Sequence, residues 1–178
     1  MRRHLAAVLA ATLLLAGCAR TDPGTPTADS AAMPDDFGGT IEYANGSVAP
    51  PYHYEWVLRI TEDTAELTWR PGYDKGGPSW RESAPIGREQ RERLYERLRE
   101  AGALDPSPAE DEGMVGGSTG SVELVAGGRT YDPGTLGLSR ESQDILDEVS
   151  AAAEDLLPGD VWSSMRDKQE AWGEENPD

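Results

Sequence analysis

Two histidines and one cysteine are the whole stock of imidazole and thiol in this 178-residue chain. His4 and Cys18 belong to an apolar N-terminal stretch, so His53 is the lone imidazole left for a folded domain. A Cys/His zinc site cannot be assembled from that stock, and most nucleophilic dyads fall with it. A Ser-His-Asp arrangement through His53 stays formally open, but no serine is set in the strand–turn–helix context of a nucleophile elbow. Glu110-Asp111-Glu112, with Asp105, offers carboxylates for calcium. It lacks the Asp-x-Asp-x-Asp-Gly spacing that wraps three of them round one ion, so a solvated acidic loop is expected. Gly116-Gly117-Ser118-Thr119-Gly120 lacks the Lys-Ser/Thr of a phosphate loop and precedes a strand pattern instead of a helix; a turn is expected. Carboxylates that could pair for glycoside hydrolysis are plentiful, but nothing singles out a pair. No catalytic residue, no metal site and no cofactor is therefore expected.

The N-terminus carries chemistry of another kind. Met1-Arg2-Arg3-His4 is followed by an uncharged run from Leu5 to Ala16. A short cationic region before an apolar run of this length is the pattern of an export signal. A membrane-crossing helix needs about 20 apolar residues, more than this run supplies. Leu15-Ala16-Gly17-Cys18 resembles the lipobox of bacterial lipoproteins at all four positions. The resemblance implies cleavage before Cys18, with its thiol carrying a diacylglyceryl group; conventional cleavage after Ala19 is the competing reading. With Cys18 the only cysteine, no intramolecular disulfide can form. Each buried acyl methylene contributes about 0.8 kcal/mol, so two or more chains anchor stably. The expected location is the cell membrane, lipid-anchored and facing the extracytoplasmic side.

Formal charge is −17, and the signal removes two arginines but no acid. Such a surface repels nucleic-acid phosphates, whose binding requires neutralisation by Lys and Arg, so nucleic acid is excluded as a partner. Anionic lipid headgroups are disfavoured in the same way. Solubility in a crowded envelope accounts for the acidity, and attraction of cations or basic partners is the sharper alternative.

Elements that position these residues follow from periodicity. Residues 18–36, with Pro23, Pro26 and Pro34 among Thr, Ser and Asp, read as a flexible tether. As a coil it would hold the domain roughly 20–25 Å from the membrane. A single domain is expected over residues 37–172, with 173–178 frayed. Ile41 and Tyr43 share a face before the Asn45-Gly46 turn. From Tyr52 to Ile60 a strand is expected with Tyr52, Tyr54, Trp56, Leu58 and Ile60 on one face, and His53, Glu55 and Arg59 on the other. Ala65, Leu67 and Trp69 mark the returning strand, and Ser79 to Ser83 a short one beyond a Gly/Pro-rich loop.

A helix is predicted from about Arg88 to Ala101, with Gly102 as its C-terminal cap. Its outer face alternates arginines with glutamates, a solvated pattern rather than a basic patch. A hairpin follows over Ser121–Asp132, turning at Gly127-Gly128. Helices are predicted over about Ser139–Leu157 and Asp160–Trp172, the latter with Val161, Met165, Gln169 and Trp172 along one side. The order strands, helix, hairpin, helix, helix predicts an α+β domain, an antiparallel sheet with helices packed on one face.

The most distinctive segment runs from Gly46 to Trp56, where prolines flank Tyr52, His53, Tyr54 and Trp56. Stiff aromatic segments of this kind suit a binding edge. The plainer reading is that these aromatics fill the core, since they share a face with Leu58 and Ile60. Candidate contact residues are Tyr52, His53 and Tyr54, with Tyr73 and Trp80 from the Tyr73–Trp80 loop.

Gly46 to Glu55, Leu94 to Leu104 and Gly116 to Ser118 resemble segments of a group of uncharacterised bacterial exported proteins, a resemblance that implies no activity. The element order is also similar to emfourin-type inhibitors of bacterial metalloproteases, as an architecture without a matching inhibitory motif. The expected function is a non-catalytic interaction domain, held to the membrane by Cys18 and meeting an envelope or secreted protein. A protease inhibitor and a hydrolase using carboxylates or His53 are the alternatives.

Overall fold

The computed structural model describes residues 32–105, 113 and 115–177. The export signal, Cys18, most of the tether and the Glu110–Glu112 loop lie outside the described residues. Six strands form one antiparallel sheet: β1 (Gly38–Ala44), β2 (Tyr54–Ile60), β3 (Thr64–Pro71), β4 (Trp80–Pro85), β5 (Thr119–Ala126) and β6 (Arg129–Tyr131). Their order across the sheet is β4-β3-β2-β1-β5-β6. Three helices complete the α+β domain: α1 (Arg88–Glu100), α2 (Arg140–Leu156) and α3 (Gly159–Glu175).

Register explains why one face is buried. Ile41 stands opposite Leu58 on one side and Val122 on the other, and Leu58 in turn opposes Leu67. With a side-chain period of two, this aligns Trp56, Leu58, Ile60, Ala65, Leu67, Trp69, Val122 and Leu124 on one surface. All of these are buried. Their alternates, among them Glu42, Arg59, Glu123 and Val125, are exposed. The helices cover the apolar surface, and α3 contributes Trp162 edge-on to Trp56 with ring centroids 5.4 Å apart.

Helix ends follow local chemistry. At the end of α1 the Ala103 N–H donates to Leu98 O and the Gly102 N–H to Arg99 O, while Gly102 takes φ +84°. That is the paired closure a left-handed glycine permits. Ser139 and Ser142 cap α2 reciprocally, each hydroxyl accepting the other's backbone N–H at 3.1 and 2.9 Å. The second partner in such a box is commonly Glu or Gln, and a serine serves here because both residues are buried close together.

Two boundaries differ from the sequence expectation. The chain packs before Phe37: Met33 is buried, Asp35 pairs with Arg88, and both Asp36 carboxylate oxygens accept N–H groups of the Gly127-Gly128 turn. At the other end α3 continues past Trp172 to Glu175, and it runs so close to the 3-10 turn that a Cβ on Gly173 would lie 2.8 Å from Pro51 O.

The strand expected from Tyr52 begins two residues later. Pro50–Tyr52 form a 3-10 turn, in which the Tyr52 N–H donates to Ala49 O and the His53 N–H to Pro50 O. The fixed φ of proline suits a 3-10 turn as well as an extended chain, and the bonds to Ala49 O and Pro50 O hold the wound form here. Tyr52 therefore leaves the core face and is 72 % exposed, and His53, expected in solvent, is only 4 % exposed.

Candidate functional site

The 3-10 turn sits at the edge of the domain where β2 starts and β3 ends, and four contacts fix it. Asn45 Nδ2 donates to Tyr52 O at 2.9 Å, and Asn45 Oδ1 accepts the Tyr54 N–H at 2.8 Å. From α3, Gln169 Nε2 donates to both Pro51 O and His53 O at 3.1 Å. Gln169 Oε1 accepts the Trp69 indole N–H at 3.0 Å. Gln169 is buried, and its amide makes three hydrogen bonds that use both N–H donors and the oxygen, which keeps the cost of burying it low.

On the helix side of this turn lies a cleft of ≈ 630 Å³. Pro51, Tyr52, Tyr54 and Trp69 supply its apolar wall, and Arg166, Glu170 and Glu174 of α3 its charged rim. Tyr54 stacks on Trp69 with centroids 4.4 Å apart, and Tyr43 continues the stack at 6.2 Å from Tyr54. Burial, reinforced by the neighbouring Tyr43 phenol, pushes the Tyr54 hydroxyl pKa above its usual value. Tyr54 stays a neutral donor at physiological pH.

On the opposite side the His53 ring lies flat on Tyr73, centroids 3.7 Å apart at an interplanar angle of 11°. The Tyr73 hydroxyl donates to Val48 O at 2.8 Å and so closes the Tyr73 loop over the turn. Beside the pair, Glu55 receives Lys75 Nζ at 2.7 Å, Arg70 Nη1 at 3.4 Å and His53 Nε2 at 3.6 Å. Partial burial raises the Glu55 pKa, but Lys75 first and His53 second more than reverse that, leaving it below the usual carboxylate value.

The five aromatic and imidazole residues expected from sequence thus separate into three places. Tyr52 and Tyr54 line the cleft, His53 and Tyr73 form the stack behind it, and Trp80 packs against the core edge opposite Trp69. Trp80 joins neither group. The two readings of the aromatic segment divide likewise: Trp56 is core, Tyr54 half-buried, Tyr52 exposed. Gln169, Glu55 and Lys75 were not singled out from sequence. A polar residue on the apolar stripe of α3 was the available signal for Gln169; the other two had none.

Gly116-Gly117-Ser118-Thr119-Gly120 also has the Gly-x-Ser-x-Gly spacing of a nucleophile elbow. It runs into β5 and not into a helix, and Ser118 Oγ accepts the Tyr43 hydroxyl at 2.9 Å. Neither ring nitrogen of His53 has a hydrogen-bond partner, so no Ser–His dyad is formed. Among the described residues no group of three or more His, Cys, Asp or Glu side chains could hold a metal ion. No described helix is long and apolar enough to cross a membrane. No protein-family model matches the chain and no curated protein matches its sequence, so the geometry alone carries the reading of the site.

Proposed function

We propose that this protein is an extracytoplasmic lipoprotein whose domain is a non-catalytic binding module. Cys18 carries the lipid, and the cleft at Tyr52 receives an extended, basic segment of an envelope or secreted protein. One observation carries the binding role: an exposed tyrosine held by a bonded turn beside a cleft walled with aromatic rings. A contact residue fixed before binding loses little entropy on association, and tyrosine offers a large amphipathic surface with few rotamers. Glu170 and Glu174 at the rim, in a chain of formal charge −17, favour a basic partner.

The test captures partners from the intact envelope with the wild-type chain and with a Tyr52→Ala/Glu174→Arg double variant. A partner enriched by the wild type and lost by the double variant is expected. A partner held equally by both would remove the cleft from the account. If a protease is the partner lost, the inhibitor form of the same reading gains support. Cys18→Ala is expected to release the protein from the membrane fraction, and its retention there would remove the lipid anchor.

A further inference from the structure

The chain has two asparagines, Asn45 and Asn176, and only the first is followed by glycine. Asparagine is a chemically labile residue, because the backbone nitrogen of the next residue can attack its side-chain carbonyl carbon. Glycine is the least hindered nucleophile for this attack, since it carries no Cβ. Asn176 cannot react in this way, because Pro177 has no N–H to give up. At Asn45 the Gly46 nitrogen loses its proton and bonds to Cγ, while the Cγ–Nδ2 bond breaks and ammonia leaves. Water then opens the five-membered succinimide. Opening at Cγ gives aspartate, and opening at the main-chain carbonyl gives isoaspartate.

The fold requires both members of this pair. Asn45 Nδ2 donates to Tyr52 O at 2.9 Å while Oδ1 accepts the Tyr54 N–H at 2.8 Å, so the position uses a side chain that is donor and acceptor at once. Gly46 lies against the segment entering β5, where a Cβ would stand 2.8 Å from Gly116 O. The labile pair therefore sits at the base of the turn that presents Tyr52. The same two bonds oppose the reaction, because Cγ must swing onto the Gly46 nitrogen before the ring can close. Asn45 is half-buried, so water reaches it once the turn opens.

We propose that Asn45-Gly46 is a latent modification site: the 3-10 turn keeps the carboxamide unreactive, and its conversion to aspartate or isoaspartate releases the turn. In the aspartate form one oxygen still accepts the Tyr54 N–H. The other replaces a donor by a charged acceptor 2.9 Å from the Tyr52 carbonyl oxygen, and an ionised carboxylate can only accept. The isoaspartate form routes the main chain through Cβ and Cγ, adding an atom where Gly46 already packs against Gly116. Ammonia departs, so the change is one-way. A chain whose turn has opened long enough to react keeps a loosened Tyr52 turn. This site does not depend on what the Tyr52 cleft binds.

The test incubates the full chain in detergent at mildly alkaline pH, once folded in buffer and once unfolded in guanidinium chloride. Peptide mass spectrometry follows the amide-to-acid mass gain, with Asn176 as the internal control. Conversion at Asn45 alone is expected, at least about tenfold slower in the folded chain because the reaction waits on local opening. Amide exchange then reads the turn in Asn45→Asp and in the acidic form separated from aged wild type by anion exchange. The Tyr52 and His53 amides are expected to exchange about tenfold faster than in the wild type, with those of Leu58 and Leu67 unchanged. The rate comparison needs no variant, so it decides the matter even where Asn45→Asp does not fold. Equal rates in the folded and unfolded chain, no conversion in the unfolded chain, or wild-type exchange at Tyr52 and His53 in both acid forms would each overturn the proposal.

Discussion

The indole N–H of Trp69 on β3 donates to Gln169 Oε1 on α3 at 3.0 Å, with both residues buried. The same amide holds Pro51 O and His53 O through its Nε2. One side chain therefore joins a strand, a helix and the 3-10 turn that presents Tyr52. Gln169→Leu keeps roughly the volume but strands the indole N–H and the Pro51 carbonyl; His53 O retains its bond from Gly72 N. A loss of about 2–4 kcal/mol is expected, since the desolvation cost of orphaned groups exceeds the net worth of the bonds. Urea unfolding of the variant beside the wild type measures it. A change below about 1 kcal/mol would mean the turn is held by its own bonds and not by α3.

Tyr73 makes two separable contributions, the stack on His53 and the hydroxyl bond to Val48 O. Tyr73→Phe removes only the hydroxyl, a partly solvated group, and is expected to cost about 1 kcal/mol or less. Tyr73→Ala uncovers the imidazole. His53 is then expected to react with diethyl pyrocarbonate much faster than in the wild type, where it is almost wholly buried. Equal reaction rates in the wild type and Tyr73→Ala would show that the stack does not shield the ring.

Much of this architecture was legible from residue patterns, because alternation and capping are local. Leu58, Leu67 and Trp69 declared the buried sheet face, and Gly102 and Ser139 the helix ends. Tyr52 and His53 were read into a regular strand, and both faces came out reversed. The cause is partly local, since Pro50-Pro51 wind a turn and break the alternation. It is also partly distant: His53 is covered by Tyr73, twenty positions on, and no local pattern signals that contact. Gln169 was visible as a polar residue on an apolar stripe, but its partners lie a hundred or more positions away. Side-chain periodicity reports which face is buried; it carries no record of which loop closes over that face.

Glu55 links acid sensitivity to the Tyr73 loop. Its folded-state pKa lies below the unfolded value despite the burial that opposes this, owing to Lys75 and then His53. Its contribution to stability is therefore complete above the unfolded carboxylate pKa and is lost as pH falls through the lower, folded value. Glu55→Gln keeps the shape and removes the titration. Urea midpoints measured from about pH 6 down to about pH 3 are expected to fall less steeply in the variant than in the wild type. Identical slopes would mean that Lys75 is paired with Glu55 no more tightly in the folded chain than in the unfolded one.

Asp36 decides where the domain begins. Its carboxylate oxygens accept the Gly127 N–H at 2.7 Å and the Gly128 N–H at 2.6 Å, so a residue preceding β1 clamps the β5–β6 turn. Hydrogen bonds to an ionised acceptor are stronger than neutral ones, and two on one carboxylate fix its geometry. Asp36→Ala is expected to destabilise the fold by about 1–3 kcal/mol, the range for losing charged hydrogen bonds at a partly solvated site. Asp36→Asn keeps one acceptor oxygen and is expected to fall between. Amide exchange at Gly127 and Gly128 gives a second measure, and faster exchange there in Asp36→Ala is expected, with β2 and β3 little changed. If both amides exchange at wild-type rates in Asp36→Ala, the turn is self-sufficient and the segment before Phe37 is dispensable to the fold.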